Sequence, residues 1–244
     1  MQDSYLKIFS NKQKVMFVFA HPDDAEIYCG GLVARLVEDG KQVKLVKMST
    51  GNKGSRQETI TEGDLAKIRE TEDLAALKTL GLKDSDSINL DLGDGEIENN
   101  LETLGKLVAE IRAFKPNLIV THNPDQTMIR DLDGGYYVNH RDHRNTAHCA
   151  IDAAYPYSRD TLFFPEQLSG GLTTHTTTEF LFVDSWGNQD TVYIEITKQA
   201  KKRTAAIACH KSQYPEDKAQ ASTDYFAPEL DGQRFEQFWY VVAD

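Results

Sequence analysis

The chain has 244 residues, of which 40% are hydrophobic and 27% are charged, and its formal net charge is −11. This length and composition are ordinary for a globular protein with a substantial core, and we expect a single domain over residues 1–244. The negative charge repels phosphate backbones, which argues against nucleic acid as a partner. No apolar run approaches the ~20 residues that cross a bilayer, and residues 1–14 lack the apolar core of a signal peptide. We therefore expect a cytoplasmic protein without a membrane span.

Strand and helix signals alternate through the first half of the chain. We predict strands at 15–20, 43–49, 87–90 and 118–121, and helices at 25–40, at 64–80 and between the cap Asn100 and the terminator Pro116. This alternation is typical of a parallel sheet with right-handed crossovers. The predicted fold class is therefore α/β: a Rossmann-like, doubly wound, mainly parallel sheet with helices on both faces.

The second half is less regular and is predicted to add further strands and loops to the same domain. The expected elements are a helix at 141–154, strands at 179–184 and 191–197, and a helix at 198–210, while 235–242 is left open. Loops at 50–63 and 123–139 leave the carboxyl ends of strands and exceed the usual connection of ~4–6 residues. We expect them to form the walls of a pocket, with surface decoration as the alternative.

A histidine and two carboxylates follow directly on the first predicted strand, in the run His21-Pro22-Asp23-Asp24. An open α/β sheet binds its ligands at the carboxyl ends of its strands, which is where this turn lies. Nitrogen and oxygen donors concentrated there indicate a metal site, and the metal indicates hydrolysis. The alternative is a solvated turn in which Asp24 caps the following helix.

A second cluster, His140-Arg141-Asp142-His143, follows the loop that leaves the fourth strand. Strands one and four of a doubly wound sheet are neighbours on either side of the crevice where the strand order reverses. The two clusters are therefore expected to meet in space, although they lie far apart in the chain.

Together the two clusters supply the ligands and the base of a zinc hydrolase. A catalytic zinc commonly has three His or carboxylate ligands and an open position for water, and His21, Asp24 and His143 can supply the three. Asp23, adjacent to Asp24, would point elsewhere and act as general base toward the water.

Three further residues are assigned around these ligands. His140 could hydrogen-bond an oxyanion opposite the metal, and Asp142 could orient His140. His122 closes the fourth strand and is a rival metal ligand, although a structural role is the preferred interpretation.

At these residues the chain resembles the LmbE-like (PIG-L) family of zinc-dependent de-N-acetylases. The family signature Ala-His-Pro-Asp-Asp-x-Glu is matched by residues 20–26, and His-Pro-Asp-His is matched by residues 140–143, with Arg141 in place of proline. Similarity also covers Arg69-Glu70 and the segment Cys209-His210-Lys211-Ser212-Gln213.

The resemblance implies the same roles as the residues themselves and adds one. Carried over residue by residue, it implies zinc ligands, a general base, an oxyanion-stabilising histidine with its orienting carboxylate, and a substrate contact: His21, Asp24 and His143; Asp23; His140 with Asp142; and Arg69. Some relatives carry a tyrosine where this chain has Val138, and Tyr137 or Tyr136 could substitute for it.

The expected activity is hydrolysis of an N-acyl group, with N-acetyl as the preferred group, on an amino sugar or glycoside such as an N-acetylglucosamine derivative. The expected cofactor is one Zn²⁺ per chain. A zinc amidase acting on a thiol conjugate or an antibiotic precursor is one alternative, and a non-catalytic sugar- or metal-binding module is the other. The expected partner is a small-molecule substrate, and the sequence is compatible with a homo-oligomer.

Overall fold

The computed structural model describes residues 1–131 and 134–243, which form one sheet flanked by helices and a separate β-hairpin. The strands are β1 (Lys14–Phe19), β2 (Gln42–Ser49), β3 (Ser87–Leu92), β4 (Leu118–Thr121), β5 (Met128–Arg130), β6 (Tyr136–Val138), β7 (Glu179–Phe182), β8 (Thr191–Glu195), β9 (Glu229–Leu230) and β10 (Gln233–Val242). The helices are α1 (Tyr5–Phe9), α2 (Asp24–Glu38), α3 (Glu62–Leu80), α4 (Leu101–Phe114), α5 (Arg141–Asp152), α6 (Pro165–Ser169), α7 (Ala200–Ile207) and α8 (Glu216–Phe226).

The strand order of the sheet is β3-β2-β1-β4-β7-β10-β8, with β9 paired to β10. Strands β3, β2, β1, β4 and β7 run parallel to one another, and β10 is antiparallel to both β7 and β8. The predicted α/β class with a mainly parallel sheet is confirmed. Strands β1 and β4 are direct neighbours, pairing Val15 with Leu118, so the crevice expected between them is present.

Helices cover both faces of the sheet because the residues of β1 alternate between two hydrophobic cores. Phe17 and Phe19 pack into a core shared with α1, α2, α3 and α7. Met16 and Val18 pack into a second core, shared with α4 and α5. A strand buried on both faces reads as a continuous apolar run, as the sequence shows here.

Helix α2 is broken in its middle, and a buried ion pair satisfies the break. Cys29 has non-helical dihedral angles (φ −151°, ψ 26°). The Glu236 carboxylate, on β10, accepts hydrogen bonds from the backbone N–H groups of Gly31 and Leu32, both at 2.8 Å. Arg203, on α7, lies 3.1 Å from the same carboxylate, and both side chains are fully buried. The first turn of α2, which carries the site residues, is thus oriented separately from the rest of the helix.

The C-terminal half departs most from expectation. The 123–139 segment, expected to be a loop, contains the β5–β6 hairpin. The segment left open at 235–242 forms most of β10, which lies between β7 and β8. Helices α1, α6 and α8 were not predicted. Within the described ranges, no helix combines the length and the apolar character needed to cross a bilayer.

Candidate active site

The two polar clusters meet at the carboxyl ends of β1 and β4, around a pocket of about 230 Å³. The pocket is lined by six of the seven predicted site residues: His21, Asp23, Asp24, Arg69, His140 and His143. The seventh, Asp142, is fully buried directly behind them. Of the two loops expected to form walls, the 50–63 loop contributes Gly54, whereas no described residue of the 123–139 segment lines this pocket.

Two imidazole nitrogens lie close to the Asp24 carboxylate in a way that suits a divalent metal. Asp24 Oδ2 lies 3.5 Å from His21 Nδ1, and Asp24 Oδ1 lies 3.3 Å from His143 Nε2. Two ligand atoms on a tetrahedral zinc are about 3.4 Å apart, since each bond is about 2.1 Å long. Burial alone would raise the pKa of Asp24, but the nearby imidazole of His143 holds it well below its usual value. Two imidazole nitrogens beside an ionised carboxylate are a donor set that fits a metal ion.

His122 lies against the same carboxylate but is occupied by the backbone. Its Nε2 accepts a hydrogen bond from the Ala20 N–H at 3.2 Å, while it lies 3.3 Å from Asp24 Oδ2. Its ring stacks on His143 with the centroids 3.9 Å apart. Burial, with the nearby His143, lowers the pKa of His122 to about 3, so the ring is neutral. A neutral imidazole whose lone pair accepts a backbone N–H favours the structural interpretation.

Asp23 occupies the position before α2 without capping it. Its φ of 112° lies in a region that costs a non-glycine residue ~1–3 kcal/mol, and its side chain makes no capping hydrogen bond. The carboxylate instead lies 3.0 Å from Arg69 Nη2. Burial raises the pKa of Asp23 to about 6, against the opposing charge of Arg69. Asp24 does not cap the helix either, because its Oδ2 accepts from the His21 N–H at 2.8 Å.

Arg69 is buried on α3 and is held by the chain itself. Its Nη1 donates to the Gly51 carbonyl oxygen at 3.0 Å, and its Nη2 donates to the Pro22 carbonyl oxygen. Only 4% of the residue is exposed. Its immediate partner is therefore Asp23, and the substrate contact implied by the resemblance stays a prediction.

His140 presents one nitrogen to the pocket. Its Nδ1 accepts a hydrogen bond from the Asp142 backbone N–H at 3.1 Å, so in the neutral ring the proton is on Nε2. Burial and the nearby His143 lower the pKa of His140, which favours this neutral form.

The carboxylate of Asp142 makes its contacts elsewhere than expected. It accepts a hydrogen bond from the Gly95 N–H at 2.6 Å and lies 3.4 Å from His21 Nε2. Asp142 therefore contacts His140 through its backbone N–H, whereas its side chain faces His21. The physical reason is that Asp142 lies in the first turn of α5, where backbone N–H groups have no partner within the helix, so its N–H donates to the side chain of the N-cap residue His140.

The sequence analysis missed Asp94, which joins Asp142 on the same face of His21. Asp94 Oδ1 lies 3.2 Å from His21 Nε2, and its Oδ2 accepts from the Lys53 N–H at 2.8 Å. Burial would raise the pKa of Asp94, but His21 and the Lys53 N–H lower it to about 2. Carboxylates on the outer nitrogen of a ligating histidine fix its orientation. The sequence feature that could have revealed Asp94 is its position just after β3, because the two clusters also follow the ends of strands.

A buried charged layer behind the pocket was missed as well. His210 Nε2 lies 3.5 Å from Glu26 Oε2, both side chains being fully buried, and Lys47 pairs with Asp73. Burial would lower the pKa of His210, but Glu26 raises it. Glu26 and His210 fall within the two motifs 20–26 and 209–213 that carried the resemblance, so these motifs include residues that lie behind the pocket.

The two tyrosines near the hairpin differ in their environment. Tyr137 is half-buried and donates its hydroxyl hydrogen bond to Asp184, just after β7, whereas 66% of Tyr136 is exposed. Burial raises the pKa of Asp184 to about 6, against the hydrogen bond from Tyr137. Tyr137 is therefore the tyrosine that the fold ties to the end of the sheet.

Comparison with known proteins identifies several deacetylases and an amidase whose sequences are similar to this chain. The chain is 26% identical over 209 residues to the diacetylchitobiose deacetylase of Thermococcus kodakarensis, which covers 86% of this chain and 73% of that protein. It is 30% identical over 177 residues to the 1D-myo-inositol 2-acetamido-2-deoxy-alpha-D-glucopyranoside deacetylase of Streptomyces avermitilis, covering 63% and 56%. It is 27% identical over 180 residues to the mycothiol S-conjugate amidase of Streptomyces coelicolor, covering 66% and 58%. The chain thus spans a little over half the length of the last two relatives.

Solved structures share the fold at lower identity. The N,N'-diacetylchitobiose deacetylase of Pyrococcus horikoshii superposes with a TM-score of 0.82 at 23% identity, covering 98% of this chain and 91% of the other. GalB of Pseudomonas putida KT2440, a 4-carboxy-2-hydroxymuconate hydratase, has a TM-score of 0.77 at 19% identity, covering 95% and 97%. Because one fold carries both reactions, the fold alone does not select between them. The family model described as "PIG-L: GlcNAc-PI de-N-acetylase" matches residues 16–154, more than half of the chain, and the chain belongs to this family.

Proposed function

We propose that the chain is a zinc-dependent N-deacetylase that removes an acetyl group from an amino sugar or glycoside, with one zinc ion held by His21, Asp24 and His143. The observation that carries this proposal is the position of His21 Nδ1 and His143 Nε2, which lie 3.5 and 3.3 Å from the two oxygens of the Asp24 carboxylate, beside the buried carboxylate of Asp23. Its support from relatives is that three of them are named as deacetylases or amidases, all of which cleave an amide.

The metal ion has a defined chemical part in this proposal. When bound, zinc supplies Lewis acidity toward the amide carbonyl oxygen and toward the attacking water. The chain's own contribution is to hold the donors in place. Asp94 and Asp142 lie 3.2 and 3.4 Å from His21 Nε2, so Nδ1 is the nitrogen left to face Asp24.

Asp23 acts as the general base. A base works best when its pKa lies near the operating pH, and burial raises the pKa of Asp23 to about 6. The positive φ at this residue turns its carboxylate away from the helix end and toward Arg69, 3.0 Å away. Arg69 keeps the carboxylate ionised in a buried pocket, so that it can accept a proton from the attacking water.

His140 acts on the opposite side of the reacting carbon. Its Nε2 carries the proton in the neutral ring because Nδ1 accepts from the Asp142 N–H. The Nε2–H can therefore donate a hydrogen bond to the carbonyl oxygen as negative charge develops on it. The departing amine then takes the proton that Asp23 accepted from the attacking water, which returns Asp23 to its ionised form.

A second function on the same site is hydrolysis of a thiol-conjugate amide, which the relative named as mycothiol S-conjugate amidase favours. The same base and the same oxyanion contact would serve either substrate. A non-catalytic binding module is the weaker alternative, because binding alone does not call for a strained, buried carboxylate in the position of Asp23.

The test is acetate release from a panel of N-acetylated sugars and one N-acylated thiol conjugate. The protein would be stripped with a chelator, assayed, and assayed again after zinc is restored. We expect acetate from at least one N-acetylated sugar, lost on chelation and recovered with zinc. Release of product only from the thiol conjugate would favour the amidase, and no hydrolysis of any amide with zinc bound would contradict both.

A further inference from the structure

A second cavity, of about 610 Å³, adjoins the catalytic pocket and shares Gly54 and Gln213 with it. We call it the outer cavity, and its remaining lining is Lys53, Ser55, Arg56, Gln57 and Ser212. The catalytic pocket, of about 230 Å³, is smaller than the ~300–1,000 Å³ usual for sites that enclose a drug-sized ligand. The outer cavity is therefore the adjoining space into which a substrate larger than one small unit can extend.

Gly54 forms the junction between the two cavities. A Cβ at this position would lie 3.2 Å from Gln213 Oε1 and 3.3 Å from Arg69 Nη1. Gln213 Nε2 donates to the Gly54 carbonyl oxygen at 3.0 Å and holds the junction from the other side. The passage is thus bounded by small and polar groups, directly beside the Arg69–Asp23 pair.

The lining of the outer cavity is polar and carries positive charge. Every lining side chain is polar or absent, two are cations, and none is a carboxylate, in a chain whose net charge is −11. Lys53 Nζ is paired with Glu96. Among the side chains that the structure describes, no carboxylate forms an ion pair with the Arg56 guanidinium, and Arg56 is exposed at the cavity.

The catalytic pocket is lined by charges of both signs. Asp23, Asp24 and Asp94 line it together with Arg69. The outer cavity differs because its lining carries two cations and no carboxylate, so it attracts a negative group on the substrate while the uncharged acetamido group faces the metal donors.

We propose that the outer cavity binds an anionic group, a carboxylate or a phosphate, on the unit attached to the N-acetylated sugar, with Arg56 as its main partner. A guanidinium presents several N–H donors in a plane that matches either anion. The inference rests on the proposed function and narrows its substrate class to N-acetylated amino sugars that carry a polar, negatively charged substituent.

The test compares three substrates in the zinc-loaded wild-type protein, in Arg56→Gln and in Arg159→Gln. The substrates are N,N'-diacetylchitobiose as the neutral one, N-acetylglucosamine linked to glucuronic acid as the carboxylate, and N-acetylglucosamine 1-phosphate as the phosphate. Arg159 is the matched control, since it is an exposed arginine paired with Asp160 that lines neither cavity. Initial rates of acetate release give kcat/KM for each combination.

We expect the wild type to favour one of the anionic substrates over the neutral one, and Arg56→Gln to reduce that preference about fivefold, the size of an exposed charge contact. The loss should fall on KM, leave the neutral substrate unchanged and shrink as salt is added, because salt screens exposed charges. Arg159→Gln should behave as wild type. The better of the two anionic substrates identifies the carboxylate or the phosphate as the natural group.

Equal kcat/KM for neutral and anionic substrates, or an Arg56→Gln effect of the same size on all three, would overturn the proposed anion site. In that case acetate would still be released from the neutral disaccharide, and the deacetylase proposal would stand. Absence of acetate from every substrate, with zinc bound, would instead count against the deacetylase itself.

Discussion

Replacing Asp23 by Asn is the substitution whose result follows most closely from the geometry. The change removes the base but keeps the shape of the side chain and an oxygen that can still accept from Arg69, 3.0 Å away in the wild type. General bases contribute ~10²–10⁴-fold to rate, and at 1.36 kcal/mol per factor of ten this is ~3–5 kcal/mol of activation free energy. No other carboxylate in the pocket is free to substitute, since Asp24 faces the metal donors and Asp94 is held by His21 and the Lys53 N–H. We therefore expect a loss in the upper part of this range, ~10³–10⁴-fold in kcat.

The assay is acetate release at saturating substrate, with zinc content measured on the same preparation. Asp23→Asn should bind one zinc per chain, because His21, Asp24 and His143 are untouched. Circular dichroism serves as the folding control. A folded, zinc-loaded variant that turns over at the wild-type rate would refute the assignment of Asp23 as base.

Three further predictions concern the residues around this base. His143→Ala should lose zinc, since it removes the nitrogen 3.3 Å from Asp24, and a fully loaded variant by metal analysis would contradict the ligand assignment. In the wild type kcat/KM should fall as the pH drops through about 6, where Asp23 becomes protonated. Arg69→Met removes the charge that lowers the pKa of Asp23, so the acid limb of the pH profile should move to higher pH. An unmoved limb would exclude an effect of Arg69 on the pKa of the base. Glu236→Ala should destabilise the protein by about 3–5 kcal/mol in denaturant unfolding, because it leaves Arg203 buried without its partner, and a loss below about 1 kcal/mol would show that the pair does not support the break in α2.

Much of the N-terminal half was predictable from the sequence because its signals are local. Strands such as Leu118–Thr121 are short apolar runs bounded by polar residues, and α3 and α4 begin at capping side chains: Thr61 accepts from the Asp64 N–H, and Asn100 accepts from the Thr103 N–H. The adjacency of β1 and β4, which brings the two clusters together, follows from the general topology of doubly wound sheets.

The C-terminal half was less predictable because its structure depends on distant partners. Strand β10 carries the buried Glu236, a residue that argues against a buried strand unless Arg203 and the break in α2 are already known. The β5–β6 hairpin is held by contacts such as Tyr137 with Asp184, which no local pattern reveals.

The candidate site shows the same division. The residues that line the pocket were found because His and Asp concentrate at two strand ends. Asp94, Glu26 and His210 were missed because each contacts a partner on a different element, which no local sequence pattern reveals. The contact between the Asp142 carboxylate and His21 was missed for a related reason, since sequence spacing suggested its neighbour His140 instead.

The most direct test of the proposed metal-dependent deacetylase is a zinc titration of the chelator-stripped protein, followed by acetate release from an N-acetylated sugar that it hydrolyses. Activity should be absent at the start, rise in proportion to added zinc and level off at one equivalent per chain, and His143→Ala should show no such rise. Full activity in the stripped wild-type protein, before any zinc is added, would contradict the proposal that His21, Asp24 and His143 hold a catalytic metal.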